Sequence, residues 1–399
     1  MTNYIDMPHN NPFIHGNPVA PDQLIGRKKE LRQIAGRIIT GQSSIITGSP
    51  RCGKTSVLKY LMERKAELFG GEAEKLIFSE LDASVYGFKV DKSQFWDSVF
   101  KPLLEQIQDQ DSPLFKAYRT CQKNNFAPYE FDKFIDQIKQ AEWQFVLIID
   151  EFDFLLNEIQ YHQEFFAGLR TNFCRPNSPM SLIIATNLSR SQLDKKTEQF
   201  RHQGGSPYFN YMGEIVLGAL SGEDIDKLLS QDDIYFTDND RCFIKEIAGG
   251  HPYLLKTAAS ILWETYEHDE KNELNLKREL YIKVADILDN IWKSWSQIMM
   301  EEQFTSLQKV FISVALAQIK KWKVNFKKHG INIDSILWQL KSANAELKQL
   351  ENYGFLVTDK NSEIGWRIYP SILLPFTIKK LEGYDDLKKL VIPKFFESP

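Results

Sequence analysis

Cysteine is scarce, with four in 399 residues. Cys52, Cys121, Cys174 and Cys242 form no C-x-x-C pair. That spacing excludes a zinc ribbon and a disulfide framework, and it predicts reduced thiols. No apolar run approaches the roughly 18 residues that a membrane helix needs, so no span is expected. The opening stretch, Met1 to Phe13, lacks a basic segment followed by an apolar core. It does not read as a secretory signal, and the cytoplasm is the expected location. Positive charge is not in excess either: 49 Lys and Arg stand against 53 Asp and Glu, a formal net charge of −4. With pI near 6.1, the whole molecule is no magnet for nucleic acid, and any such contact must come from a local basic face. Internal repeats and low-complexity segments are absent.

What is present is an ordinary globular balance, 43% hydrophobic and 26% charged, in a chain long enough for two or three cores. After a proline-rich lead, "NPFIHGNPVAPDQLIG", an amphipathic helix is predicted near Lys28 to Thr40. The apolar run "SSIITG" follows, then a helix from Lys54 to about Leu68 and a strand at "KLIFSEL". Further on come "WQFVLIIDEFDFLL", a helix near Tyr161 to Asn172, "SLIIATN" and "GEIVLGAL". Short apolar runs alternating with helices predict an α/β fold, a parallel sheet covered on both faces. From Ser221 to about Gln297 the periodicity is helical and predicts a helical lid. From Phe304 the pattern reads three helices, then two β-type runs in "GFLVTDKNSEIGWRIYP" separated by the polar turn Asp359 to Ser362. This is the order of a winged-helix domain. The expected division is 1–220, 221–300 and 301–399.

The strongest chemical signal is "GSPRCGKT", Gly48 to Thr55, a complete G-x-x-x-x-G-K-[ST] between a strand and a helix. Gly48 and Gly53 let the backbone curl in a loop that turns at Pro50, so that N–H groups of Ser49, Arg51, Cys52 and Ser56 and the start of the following helix surround an anion. Proline itself supplies only the turn, having no N–H. Lys54 is placed to reach the β- and γ-phosphates, and the Thr55 hydroxyl to bind Mg²⁺. In "FVLIIDEFD" five apolar residues drive a strand into the core, and Asp150 and Glu151 emerge at its carboxyl end, where ligands of such sheets bind. Asp150 is then the second Mg²⁺ residue, and Glu151 the group that orients or deprotonates water. Asp153 is expected to be a structural or supporting acid, and Cys52 a small residue of the loop.

The phosphate loop, the strand ending in Asp-Glu, and "IIATN" with Asn187 at a strand end together resemble the additional-strand P-loop ATPases. These comprise AAA+ proteins and the signal-transduction ATPases with numerous domains (STAND). The resemblance implies that Asn187 is the sensor that touches the γ-phosphate or the attacking water. It also implies that Leu24, Ile25, Gly26 and Arg27 lie against adenine, which favours ATP over GTP. Arg170, Arg190 and Arg201 are candidates for an arginine acting on a neighbouring subunit. The lid sequence "GGHPYLLK", with Gly250, His251 and Pro252, resembles the Gly-x-Pro element of the STAND and archaeal-type ATPases. No arginine follows it before Arg278. By that resemblance Pro252 lines the nucleotide, and ADP exchange for ATP switches the protein; the competing reading is a helix-starting proline with His251 exposed.

In the C-terminal part the third helix, Ala343 to Tyr353, turns Leu347 and Leu350 inward and carries Asn344, Lys348 and Gln349 beside Glu346 and Glu351. "KKWKVNFKKHG" is a better basic patch, with Lys320, Lys321, Lys323, Lys327 and Lys328 around Trp322 and Phe326. The leading expectation is a hydrolysing ATP switch using ATP, ADP and Mg²⁺, which forms an ATP-dependent homo-oligomer or signals to a separate effector; the resemblance adds a role in prokaryotic defence. The alternatives are a DNA-binding loader similar to origin-recognition ATPases, and a nucleotide-bound scaffold that does not turn over.

Overall fold

The computed structural model describes residues 11–13, 15–85, 92–158, 162–175, 177–201, 205–230, 236–267 and 305–380. The chain forms two compact units. One comprises Val19–Gly48 and Lys54–Leu217, and the other the described parts of Met1–Pro18, Ser49–Gly53 and Gly218–Pro399.

Five short apolar runs become the strands of the first unit: β1 (Ser44–Thr47), β2 (Leu76–Asp82), β3 (Gln144–Asp150), β4 (Met180–Thr186) and β5 (Gly213–Val216). They lie in the order β2-β3-β4-β1-β5 and all neighbours are parallel. Parallel strands need crossovers, which place helices on both faces and leave no solvated side. Accordingly Ile45, Ile46, Val146 to Ile149 and Leu182 to Ile184 are all buried. The helices are α1 (Lys28–Ile39), α2 (Lys54–Glu63), α3 (Lys65–Phe69), α4 (Lys92–Gln106), α5 (Pro113–Lys123), α6 (Pro128–Gln140), α7 (Leu155–Glu158), α8 (His162–Phe173) and α9 (Arg190–Lys196). The single helix expected from Lys54 to Leu68 is two. Arg64 leaves helical geometry at φ −104°, ψ 28°, and its carbonyl accepts from Glu67 and Leu68 to start a new turn. No glycine or proline marks that break.

Helices α4 and α6 pack on β2 and β3 through an aromatic cluster. Phe100 of α4 lies 4.8 Å from Phe134, 5.0 Å from Phe145 and 5.6 Å from Trp96, measured between ring centroids. Phe126 and Phe131 close it. The tilted and edge-on geometries are those aromatic pairs favour. The cluster anchors the base of β3, the strand whose far end carries Asp150.

In the second unit, α10 (Gly222–Leu229), α11 (Asp238–Ala248) and α12 (Pro252–Glu267) follow one another. Ser221 and Thr237 cap the first two by accepting the N–H of Asp224 and Asp240. The rest of the helical stretch expected up to Gln297, with Arg278, lies outside the described residues. The helices Thr305–Ile319, Ile333–Leu340 and Asn344–Asn352 precede the antiparallel pair β6 (Leu356–Thr358) and β7 (Trp366–Ile368). Leu347 and Leu350 are buried, as their spacing predicts. No helix among the described residues is long and apolar enough to cross a membrane.

Because Phe100 is fully buried among five aromatic neighbours, Phe100→Ala should lower stability by about 3–5 kcal/mol. Urea unfolding followed by tryptophan fluorescence measures this; an unchanged midpoint would mean that the cluster does not support the sheet.

Candidate nucleotide site

The loop after β1 ends where α2 begins at Lys54. Gly53 has φ +99°, a backbone region that glycine adopts without strain. Arg51 also turns through positive φ, at 63°. The Lys54 side chain is 6% exposed. Its ammonium donates to Asn187 Oδ1 at 2.7 Å and to the Gly48 carbonyl at 3.3 Å. Neutral acceptors of this kind fix an ammonium without cancelling its charge, which suits a phosphate-binding lysine.

Thr55 Oγ1 donates to Asp150 Oδ2 at 2.7 Å, and Asp150 Oδ1 accepts the Glu151 N–H at 2.9 Å. A hydroxyl and a carboxylate meeting at one point are hard oxygen donors. They fit Mg²⁺, which commonly takes only one or two protein ligands and completes its shell with water and phosphate oxygens. Among the described residues no group of three or more His, Cys, Asp or Glu is arranged to hold a metal.

Glu151 sits at φ 50°, ψ 41°, left-handed geometry that costs a non-glycine residue on the order of 1 kcal/mol and is found enriched at functional sites. Burial pushes its carboxyl above the ordinary value; Lys54 opposes this, and Asp150, Asp153 and Asp82 add to it. A carboxylate so placed is a better proton acceptor than one in water.

Asn187 is held from three directions. Its Oδ1 accepts from Lys54, while its backbone N–H and its Nδ2 donate to Asp153 Oδ2 at 2.9 and 3.2 Å. Asp153 Oδ1 also accepts from Thr186 Oγ1 at 2.7 Å. The next residues enter a capping box, Ser189 with Gln192, that starts α9. Asp153 therefore decides which way the Asn187 amide faces. The sequence marks it only as a third acid three positions after Asp150.

In the lead, Leu24 and Ile25 are half-buried. Gly26 and Arg27 take positive φ in succession, 76° and 64°. Arg27, 5% exposed and 3.9 Å from Glu30, stands at the start of α1. In the other unit Pro252 is half-buried as the first residue of α12. His251 is buried, not exposed, and its Nε2 lies 3.1 Å from the Pro50 carbonyl.

The three candidate arginines are used inside the chain. Arg170 donates to the Pro207 carbonyl and to Asn210 Oδ1. Arg190 donates to the Met212 carbonyl, and Arg201 pairs with Glu198. All three stand near the half-buried Asp194, whose carboxyl is raised by burial and lowered by the Phe209 N–H and by these arginines. Cys52 is buried, and none of the four cysteines is in a disulfide.

A parallel sheet in this order, with a glycine-bearing loop after β1 and an acidic pair at the end of β3, defines a P-loop nucleotide-binding domain. Residues 38–190, less than half of the chain, are similar to the family described as AAA domain. No curated protein matches the sequence. Among solved structures, the Walker-type ATPase PABY2304 of Pyrococcus abyssi is similar over 92% of this chain and 99% of its own. The identity is 12% and the TM-score 0.55, a likeness of fold. The ORC2 protein of Aeropyrum pernix in ADPNP-ADP complexes (14% identity, 96% of each chain) and Drosophila ORC bound to DNA (13%, 95% of each) reach TM-scores of 0.47 and 0.45. Overlaps that loose carry no argument.

Asp153→Ala should release the Asn187 amide and lower kcat roughly 10- to 100-fold, the scale of a small misplacement, while ADP affinity changes little. Steady-state turnover with an ADP titration checks this; an unchanged kcat would mean that Asp153 only stabilises the fold.

Proposed function

We propose that the protein binds ATP with Mg²⁺, hydrolyses it slowly to ADP and phosphate, and uses the difference between the two nucleotides as a switch. The observation that carries this reading is the junction of two contacts, Lys54 with Asn187 and Thr55 with Asp150, at the carboxyl edge of one parallel sheet. Lys54 and the loop N–H groups hold the β- and γ-phosphates, and Leu24 to Arg27 line the base. Thr55 and Asp150 would hold the Mg²⁺, which neutralises charge on the phosphates. Glu151 accepts a proton from the attacking water as its oxygen bonds to the γ-phosphorus. The bond from that phosphorus to the bridging oxygen breaks, and ADP leaves with the electron pair. Asn187, its amide fixed by Asp153, orients the water or the γ-phosphate.

This reading takes 1–220 as the ATPase core, 221–300 as a lid and 301–399 as a winged-helix-like domain. Its output is self-association or contact with a separate effector, in keeping with the resemblance to STAND ATPases. Glu151→Gln should keep ATP affinity and lower kcat at least about 100-fold, the usual scale for a general base; equal turnover in both proteins would leave a nucleotide-bound scaffold instead. The switch is tested by identifying any co-purifying nucleotide and measuring mass with ADP and with ATP, using Lys54→Ala as control. A mass that changes with nucleotide only when Lys54 is present supports it. The same mass in every state, with no nucleotide bound, would contradict it.

One observation favours a second reading, a DNA-binding regulator. Lys321, Lys323, Lys327 and Lys328 are all exposed in the stretch after Ile319. Phe326 is buried, however, so it offers no face for stacking on bases. Lys320 pairs with Glu363 and Lys348 with Glu351. Duplex binding that falls steeply with salt, and is lost when Lys321, Lys323 and Lys327 are neutralised, would establish this reading. No retention of duplex at low salt would remove it.

A further inference from the structure

The stretch Gly249 to Tyr253 is built around close approach. A Cβ on Gly250 would stand 2.6 Å from Ala219 Cβ and 2.8 Å from the Leu220 N and O, so only glycine fits. The Gly250 carbonyl accepts from Leu220 N–H at 2.8 Å. These contacts place His251 directly ahead of α12 with its side chain buried. Both ring nitrogens of His251 face partners that fix their roles. The Pro50 carbonyl can only accept, so Nε2, 3.1 Å away, carries the proton and donates. The Leu254 N–H can only donate, so Nδ1, 3.5 Å away, is the unprotonated acceptor. Two residues on, the Tyr253 ring lies 4.4 Å beneath the Arg51 guanidinium, a cation–π contact. The corner of the phosphate loop, Pro50 and Arg51, is therefore gripped twice by the start of one helix.

We propose that His251 is a positioning residue for the phosphate loop. Its Nε2–H holds the Pro50 carbonyl, so the first turn of α12 sets the curl of the loop that must match a nucleoside polyphosphate. This assigns the histidine of the Gly-x-Pro element to the loop backbone. It rests on the nucleotide reading above. A contact made in only one loop geometry couples helix and phosphate reciprocally: what loosens the contact loosens ADP, and ADP in turn tightens the contact.

The test compares His251→Leu, which fills similar space without a donor, with His251→Gln, which carries an amide N–H at similar reach. The parent and Lys54→Ala serve as references. Release of a fluorescent ADP analogue is measured by stopped flow, and melting is followed by circular dichroism. His251→Leu should release ADP about tenfold faster, the effect expected for one buried hydrogen bond, and His251→Gln should recover most of the difference at a melting temperature equal to that of His251→Leu. Equal release from parent, Leu and Gln proteins would overturn the assignment while leaving the nucleotide site intact. Parent binding that does not depend on Lys54 would instead overturn the nucleotide reading itself. A ¹⁵N-histidine spectrum of the unaltered protein removes dependence on the folding of any variant. The His251 signals should report the Nε2–H tautomer and shift on saturation with ADP. The Nδ1–H tautomer, or signals indifferent to ADP, would refute the proposal.

Discussion

The bond from the Lys54 ammonium to the Asn187 amide exists because β4 lies between β1 and β3. Lys54 follows β1, Asp150 ends β3, and Asn187 follows β4. With β4 inserted, Asn187 emerges between Lys54 and the acidic pair. In a sheet where β1 and β3 were direct neighbours, no strand end would stand there. The order of the strands is thus a chemical constraint, and the polar contacts at the carboxyl edge follow from it.

The sheet can hold this geometry because most of what lies beneath it is apolar and buried. Strands buried on both faces leave few alternative positions for the residues at their ends. The aromatic cluster beside α4 fixes β2 and β3 from one face. At the carboxyl edge the character changes abruptly: a buried lysine, three acids and two hydroxyl residues converge there, and Glu151 is held in strained backbone geometry. Such a concentration of polar groups against a dry sheet lowers local stability, the cost that a charged ligand at this edge would offset. Asp153 is the piece that makes the edge specific, since it bonds the backbone and side chain of Asn187 together.

The fold was legible to the extent that each strand was a continuous apolar run. "FVLIID" and "SLIIAT" can scarcely be anything but buried strands, and Lys54, Thr55, Asp150 and Glu151 are readable from them and from the glycine spacing. Three things were not readable. The break at Arg64 has no local signal, because it is made by backbone bonds to Glu67 and Leu68. The use of Asp153 depends on which strands adjoin, information that no single segment contains. The burial of His251 depends on Gly250 fitting against Ala219 and Leu220, a tertiary contact. The aromatic residues of "KKWKVNFKKHG" invite a nucleic-acid reading by their interleaving, yet Phe326 is used as core.

The central claim is that Lys54, Thr55, Asp150 and Asn187 surround one phosphate and metal position. Its most direct test is a crystal structure with Mg²⁺ and a non-hydrolysable ATP analogue. The account predicts Lys54 Nζ on the β- and γ-phosphate oxygens, one Mg²⁺ beside both Thr55 Oγ1 and Asp150, and the Asn187 side chain at the γ-phosphate with Asp153 still bonded to it. A nucleotide bound elsewhere, or one whose phosphates leave Lys54 on Asn187 and Thr55 on Asp150 undisturbed, would contradict it.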